Sequence, residues 1–224
     1  MPAAYTPSET AVVSALKEAL NIGAQSASDA LSAQGGYYLN DAYKILLPPE
    51  AATIIKNIST VPGGDKLVED VILRVNTAAE SAAADVVPIF ASAIKGMTLR
   101  DGMGILLGEK DAATQYFRKT AGEEIKKAYQ PKLQAALREP MIAGISADNS
   151  WRTLTTQYNK VAGSAAGKLA GMTAVNTSMD DYVLNRAVDG LFARIAQEEA
   201  QIRQQPLAYG SELVKKVFSY AKKN

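Results

Sequence analysis

Two adjacent glutamates in the C-terminal half of the chain occupy positions that require a chemical explanation. Glu198 and Glu199 lie in the segment DGLFARIAQEEAQIRQQP, which has the spacing of an amphipathic helix. With about 100° between successive residues, Glu198 falls within the apolar stripe and Glu199 falls on its shoulder. A buried carboxylate must be paired, hydrogen-bonded or hydrated. The pattern therefore predicts an inward-facing Glu198. The stripe consists of Leu184, Val188, Leu191, Ile195 and Ile202.

Two arginines elsewhere in the chain are candidate partners for Glu198. Arg74 lies at the edge of the broad apolar face of the segment 65–84, and Arg118 follows Tyr116 and Phe117. One interpretation is a structural ion pair that joins two helices. The other is a carboxylate that lines a pocket, where perturbed ionisable groups often serve a function.

The residue types that are missing narrow the possible chemistry. The chain has no histidine and no cysteine, so the commonest general base, cysteine nucleophiles and the usual zinc ligands are excluded. A carboxylate-dependent enzyme or a calcium-type site that uses Glu198, Asp111 or Asp189 stays possible. Neighbouring carboxylates on a helix diverge by about 100°, which is unfavourable for binding one ion. We expect no metal and no cofactor.

The glycine-rich segment LRDGMGILLGEKDAAT, residues 99–114, resembles a phosphate-binding loop only superficially. It lacks the order of glycines and lysine that such a loop requires, and no strand precedes it. Gly102 and Gly104 instead predict close packing of a helix, and Gly108 predicts its end. Asp111 is predicted to cap the next helix rather than to bind an anion.

Composition predicts the fold class. The chain is 47% hydrophobic but only 7% aromatic, and its many alanines suit closely packed helices. Its formal net charge of +1, with no long run of either sign, argues against nucleic acid or an anionic membrane as a partner. No apolar run approaches the ~18 residues of a membrane span, so we predict no transmembrane segment.

Capping residues and helical spacing divide the chain into helices with few interruptions. Pro131 is expected to break or kink the chain, and residues 162–178 are predicted to be a connection or a poorly specified helix. No alternating pattern typical of strands is present. Helices are predicted over residues 7–34, from Pro49 to about 62, over 65–84, 89–95, 98–108, from 111, from 120, over 151–161, 178–204 and 210–223, with loops over 37–48 and 144–150.

We therefore expect an all-α protein, a single compact multi-helix domain of about nine or ten helices. The domain should cover residues 9–224 behind an N-terminal tail of residues 1–8. The long helix of residues 178–204 should be central, with the helix of residues 65–84 packed against it.

The order of several motifs resembles the bacterial domain-of-unknown-function family 4197. These motifs are LKEALNIGAQSA, NTAAESAA, MTLRDGMGILLGEKDAATQYFR, and DDYVLNRAVDGLFARIAQEEAQIRQQP followed by LVKKVF. Gly102 and Thr77 depart from the alanine and arginine usual in the family, so a role that depends on that arginine is in doubt. By resemblance the positions of interest are Asp101, Asp111, Thr114, Tyr116, Phe117, Asp189, Glu198, Glu199 and Arg203.

Family members resemble exported proteins, which implies a periplasmic or envelope-associated location. Met1 would then be either a native start or the residue behind a removed leader. The leading hypothesis is a non-enzymatic binding or interaction protein, whose partner is a protein or an apolar small molecule. For a carrier of an apolar molecule, Glu198 or Arg203 would be the polar anchor of an apolar cavity of roughly 300 Å³ or more. The oligomeric state stays open.

Overall fold

The described part of the chain folds into helices joined by short loops. The computed structural model describes residues 7–52, 64–140, 146–175, 177–206 and 210–221, which contain no β-strand and only an isolated bridge between Pro140 and Ser146. This confirms the all-α prediction. The helices are α1 (Glu9–Ser32), α2 (Gly64–Ala83), α3 (Val87–Lys95), α4 (Leu99–Leu107), α5 (Ala112–Arg138), α6 (Ala147–Gly163), α7 (Ala165–Leu169), α8 (Met179–Gln204) and α9 (Glu212–Ala221), with a 3-10 turn at Pro49–Ala51.

Side-chain caps begin several of these helices, although α1 starts at Glu9 behind Ser8, two residues later than the predicted start at residue 7. Ser8 and Ser178 accept backbone N–H groups in the first turns of α1 and α8, which satisfies donors that have no partner within the helix. Thr98 and Asp101 form a reciprocal capping box at the start of α4. The bonds from Thr98 lower the pKa of Asp101, because they stabilise its charged form.

The helix α5 continues through a proline that was expected to interrupt it. Pro131 lies inside the 27-residue helix. Tyr129 and Leu133 beside it are buried, and their packing offsets the hydrogen bond that proline cannot donate. Thr120, predicted to begin a separate helix, lies in mid-helix and donates its hydroxyl to the carbonyl oxygen of Tyr116.

Two further boundaries differ from the sequence prediction. The helix α6 begins at Ala147, within the predicted loop 144–150, because Ser146 caps it by accepting the N–H of Asn149. The segment 162–178 contains the end of α6, the five-residue α7 and a connection. Most of the helix predicted from Pro49 lies outside the described residues.

The helix α8 packs mainly against α5 and α1, which confirms its central position. The rings of Phe90, Phe117 and Phe192 bring α3, α5 and α8 together, with centroid separations of 4.9 and 6.4 Å. The helix α2 contacts α8, as predicted, but over a shorter stretch than it contacts α5, its main neighbour.

Only one of the two glycines predicted to allow close packing does so. A Cβ atom at Gly102 would lie 2.8 Å from Cγ2 of Val13, whereas one at Gly104 would meet nothing within 4 Å. Gly102 therefore allows α4 to approach α1 closely, while Gly104 faces open space.

Across the described ranges, no single helix combines the length and apolar character that a membrane crossing needs. The segments Val68–Ala83 and Val87–Lys95, bent by 41°, reach that length and composition only as a pair. Residues of both segments contribute to the core.

Candidate functional site

Glu199 caps the first turn of α5 from a distant helix. Its carboxylate accepts the backbone N–H groups of Ala113 and Thr114 at 3.0 and 2.9 Å, and the hydroxyl of Thr114 at 2.8 Å. Asp111 occupies the cap position but makes no capping bond with its side chain. It accepts a bond from Gln115 instead. The prediction that Asp111 caps this helix was therefore wrong, because Glu199 satisfies the free N–H groups.

Arg203 connects the same carboxylate to the end of α4. Its guanidinium donates to Oε1 of Glu199 at 2.8 and 3.0 Å, and to the carbonyl oxygens of Ile105 and Leu106 at 2.7 and 3.4 Å. We call Glu199, Arg203 and Thr114 the clamp. The negative group lies at a helix N-terminus and the positive group at a helix C-terminus, as the helix dipoles favour.

The clamp has little capacity to bind a ligand or to transfer a proton. The Glu199 carboxylate accepts five bonds in all, three at Oε1 and two at Oε2, against about four lone-pair sites. The adjoining cavity measures about 10 Å³, which is room for roughly one water molecule. This geometry provides no space for an organic ligand beside Glu199 or Arg203. The cavity is lined mainly by Leu16, Leu20, Ile105, Ile202 and Phe218.

Glu198 is buried as predicted, but its partner lies on its own helix. Its side chain is 3% exposed and pairs with Arg194 one turn earlier, with 2.5 Å between Oε1 and Nη2. A residue four positions away on the same face reaches the carboxylate directly. The pair therefore does not join two helices.

Neither arginine proposed as the partner of Glu198 contacts it, so those two assignments were wrong. Arg74 pairs with Asp70 and Glu139. Arg118 pairs with Asp189, and its guanidinium lies 4.5 Å from the centre of the Phe192 ring.

A second polar group lies near the Glu198 pair. Among the described residues, Oε2 of Glu198 and the hydroxyl of Tyr43 are buried without a hydrogen-bond partner. Burial raises the pKa of Tyr43, and the neighbouring Arg194 opposes that rise. We call Tyr43, Arg194 and Glu198 the tyrosine cluster. A Cβ atom at Gly23 of α1 would lie 3.6 Å from Cβ of Glu198, so α1 packs closely against Glu198.

The other predicted site residues lie apart from these two groups. Asp189 is largely exposed in its pair with Arg118. Tyr116 donates its hydroxyl to the carbonyl oxygen of Ala93 at 3.0 Å, and burial raises its pKa. No group of three acidic side chains arranged for a metal ion occurs in the part of the chain that the structure describes. The three carboxylates named for a calcium-type site have separate partners.

Tyr116 lines a surface groove between α3 and α5, with a volume of about 550 Å³. The groove is open to solvent. Its apolar wall includes Ile89 and Ala121, and polar groups of Ser92, Thr120 and Glu124 lie along it. We call this surface the α3–α5 groove. This groove contains a predicted site residue, Tyr116, and has room for a ligand.

Sequence reasoning missed a buried polar seam along α2. Asn76 accepts the N–H of Ile45 and donates to the carbonyl oxygens of Ile45 and Ile72. Glu80 accepts the N–H groups of Tyr37 and Tyr38. These bonds fix the loop 33–48 on α2. The sequence feature that could have indicated this seam is the pair Asn76 and Glu80, two polar residues four positions apart on an apolar face within the motif NTAAESAA.

Tyr37 extends this seam into the centre of the fold. Its hydroxyl donates to the carbonyl oxygen of Ala187 at 2.8 Å and lies 3.1 Å from the hydroxyl of Tyr129. Both side chains are fully buried. Burial raises the pKa of both hydroxyls, because a buried phenolate would be poorly solvated.

Comparison with known proteins gives one result. A family model described as protein of unknown function (DUF4197) matches residues 6–219. No curated protein and no solved structure matches the chain. Since the family match covers nearly all of the 224 residues, the chain belongs to the DUF4197 family of proteins of unknown function.

Proposed function

We propose that this protein is a non-enzymatic interaction protein of the bacterial envelope that binds a segment of a partner protein in the α3–α5 groove. The groove is the observation that carries the proposal. Its volume of about 550 Å³ accommodates several side chains, and apolar and hydrogen-bonding atoms lie side by side along it.

The state of the carboxylates supports a binding role over an enzymatic one. Glu199 is occupied by five structural bonds, and Asp189 is paired with Arg118 at the surface. A general acid or base must reach a substrate proton, and Glu198 of α8 is buried against α1. The candidate acids thus have structural partners or little access to solvent.

The shape of the groove supports a protein segment over an apolar small molecule. Small-molecule sites usually enclose most of their ligand, whereas this groove is open. The cavity beside Arg203 is only about 10 Å³. An open groove lined by both apolar and polar groups suits a segment of a protein, because the rest of the partner protein can cover the side of the segment that the groove leaves exposed. The envelope location rests on the resemblance to exported proteins.

Site-specific photo-crosslinking in the bacterial cell tests this proposal. A photoreactive side chain at Ser92, in the groove, is compared with one at Asn185, an exposed polar position on α8 outside the groove. We expect a discrete crosslinked protein from position 92 that position 185 does not give. Equal patterns from both positions, or a small molecule carried by the purified protein in native mass spectrometry, would overturn the proposal.

A further inference from the structure

The helices α6 and α7 form an arm whose base is buried and whose outer part is exposed. Near the base, Trp151 is 5% exposed and donates its indole N–H to the carbonyl oxygen of Thr177. Beyond it, the side chains of Val161 and Leu169 are 55% and 90% exposed. We call residues 153–175 the distal arm.

Internal hydrogen bonds hold the distal arm in a defined shape. The side chain of Asn159 accepts the N–H of Val175 at 2.8 Å and donates to its carbonyl oxygen at 2.9 Å. Ser164 caps α7 by accepting the N–H of Gly167. A Cβ atom at Gly167 would lie 2.1 Å from the carbonyl oxygen of Val161, so α6 and α7 meet in a tight turn. These hydrogen bonds and the tight turn therefore fix the backbone that carries the exposed side chains of Val161 and Leu169.

The charges of the distal arm have one sign. Residues 153–175 contain no aspartate and no glutamate, and their charged residues are Lys160 and Lys168. Both lysines are exposed, and neither has an ion-pair partner among the described residues. Each precedes an exposed aliphatic side chain, Val161 or Leu169. Lys160 and Val161 thus lie before the turn between α6 and α7, and Lys168 and Leu169 lie after it, so each side carries a lysine next to an aliphatic side chain.

We propose that the distal arm docks this protein on an anionic lipid surface. Cations next to aliphatic side chains suit that surface, because the lysines stay among the headgroups while the apolar groups enter the boundary with the acyl chains. Protein interfaces are usually poor in lysine and alanine and rich in aromatic residues and arginine. The distal arm has the opposite composition. Its exposed residues include Lys160, Lys168 and the alanines at positions 165, 166 and 170.

This surface lies on different helices from the α3–α5 groove, so the lipid proposal stands or fails independently of the proposed partner. The two could act together, because an anchored protein would present its groove at the membrane. The overall charge of +1 does not oppose docking, since screening at physiological salt limits the relevant charges to those within about 8 Å of the surface.

Flotation of the full chain with lipid vesicles tests this proposal. Vesicles of phosphatidylcholine alone are compared with vesicles that contain phosphatidylglycerol as well, at low and at physiological salt. We expect binding to the anionic vesicles that weakens as salt is raised. The double change Lys160→Gln and Lys168→Gln should weaken binding roughly 25-fold, since each lysine near an anionic surface contributes a factor of about five. Leu169→Ser should weaken it several-fold.

Matched controls are available outside the arm. Leu39→Ser removes another highly exposed leucine, and Lys119→Gln removes an exposed lysine of α5. Both should leave vesicle binding unchanged, and all these variants should melt like the parent. Absence of binding, equal binding to neutral vesicles, or equal losses from the control changes would overturn the proposal. So would a dimer in sedimentation equilibrium, without vesicles, that Leu169→Ser disrupts, because the arm would then dock on a second copy.

Discussion

The carboxylate of Glu199 accepts the hydroxyl of Thr114, 85 residues earlier in the chain, at 2.8 Å. The same carboxylate supplies the cap that Asp111 does not, and Arg203 ties it to the end of α4. Desolvation of a buried carboxylate is costly, and here charge-assisted bonds from α5 and from Arg203 offset that cost. We interpret the acidic pair of α8 as part of the architecture of the fold.

Replacing Glu199 with glutamine should destabilise the protein strongly. The change removes the charge that Arg203 requires and reduces the acceptors for the first turn of α5. Because Arg203 is 21% exposed and keeps some hydration, we expect a loss of about 3 kcal/mol in the free energy of unfolding. Melting temperature should fall by roughly 6–12 °C. Denaturant unfolding measures this loss, with the exposed Glu109→Gln as the control. An unchanged transition would show that the clamp adds nothing to stability.

Replacing Glu198 with glutamine should cost less than the change at Glu199. Oε2 of Glu198 has no described partner, and Oε1 pairs with Arg194, whereas the Glu199 carboxylate accepts five bonds. Fewer interactions are therefore lost with the charge of Glu198. We expect about 1–2 kcal/mol. The order of the two variants in the same denaturant series is the measurement. A larger loss at Glu198 than at Glu199 would contradict this comparison.

The seam on α2 should be sensitive to the loss of one amide side chain. Asn76→Ala leaves the N–H and carbonyl groups of Ile45 without their partner in a buried position. We expect a loss of about 2–3 kcal/mol and faster hydrogen exchange at the amide of Ile45. Asn185→Ala on the exposed face of α8 is the control. Unchanged exchange at Ile45 would mean that Asn76 does not fix the loop.

Stability should fall at alkaline pH because of the buried tyrosines. The pKa values of Tyr37 and Tyr129 are raised above the ordinary value of 10.0, so above that pH the unfolded chain ionises while the folded chain does not. Their contribution is complete below pH 10 and is lost as pH rises from there towards the folded pKa.

Phenolate absorbance and circular dichroism, followed together against pH, test this expectation. Tyr37 and Tyr129 should ionise only as the helices are lost, and Tyr129→Phe should make the fall in stability with pH less steep by about one proton. Ionisation of every tyrosine before any loss of helix would contradict the account.

Sequence patterns predicted the helices best where a cap and an apolar stripe agreed. Ser178 and the Thr98–Asp101 box are local features, so short sequence windows contain them. Pro131 was misjudged because the packing of Tyr129 and Leu133, which outweighs its local effect, depends on distant helices.

The candidate site was predicted in part for the same reason. The inward position of Glu198 follows from helical spacing alone. Its pairing with Arg194 was also readable, since four residues separate them on one helix. The role of Glu199 could not be read, because nothing in the local sequence shows that α5 starts beside α8 or that Asp111 turns away. The α3–α5 groove likewise depends on how two helices are placed.

The most direct test of the account measures unfolding and crosslinking at position 92 in two variants. Thr120→Arg places a long charged side chain on the groove wall, and Glu199→Gln weakens the clamp. We predict that Thr120→Arg unfolds like the parent but loses the crosslinked partner. The Glu199→Gln variant should unfold at a lower denaturant concentration than the parent, but it should still crosslink to the partner at temperatures where the variant is folded. The reverse result, with the partner lost from folded Glu199→Gln and kept by Thr120→Arg, would contradict the claim that the acidic pair is architectural and the groove binds.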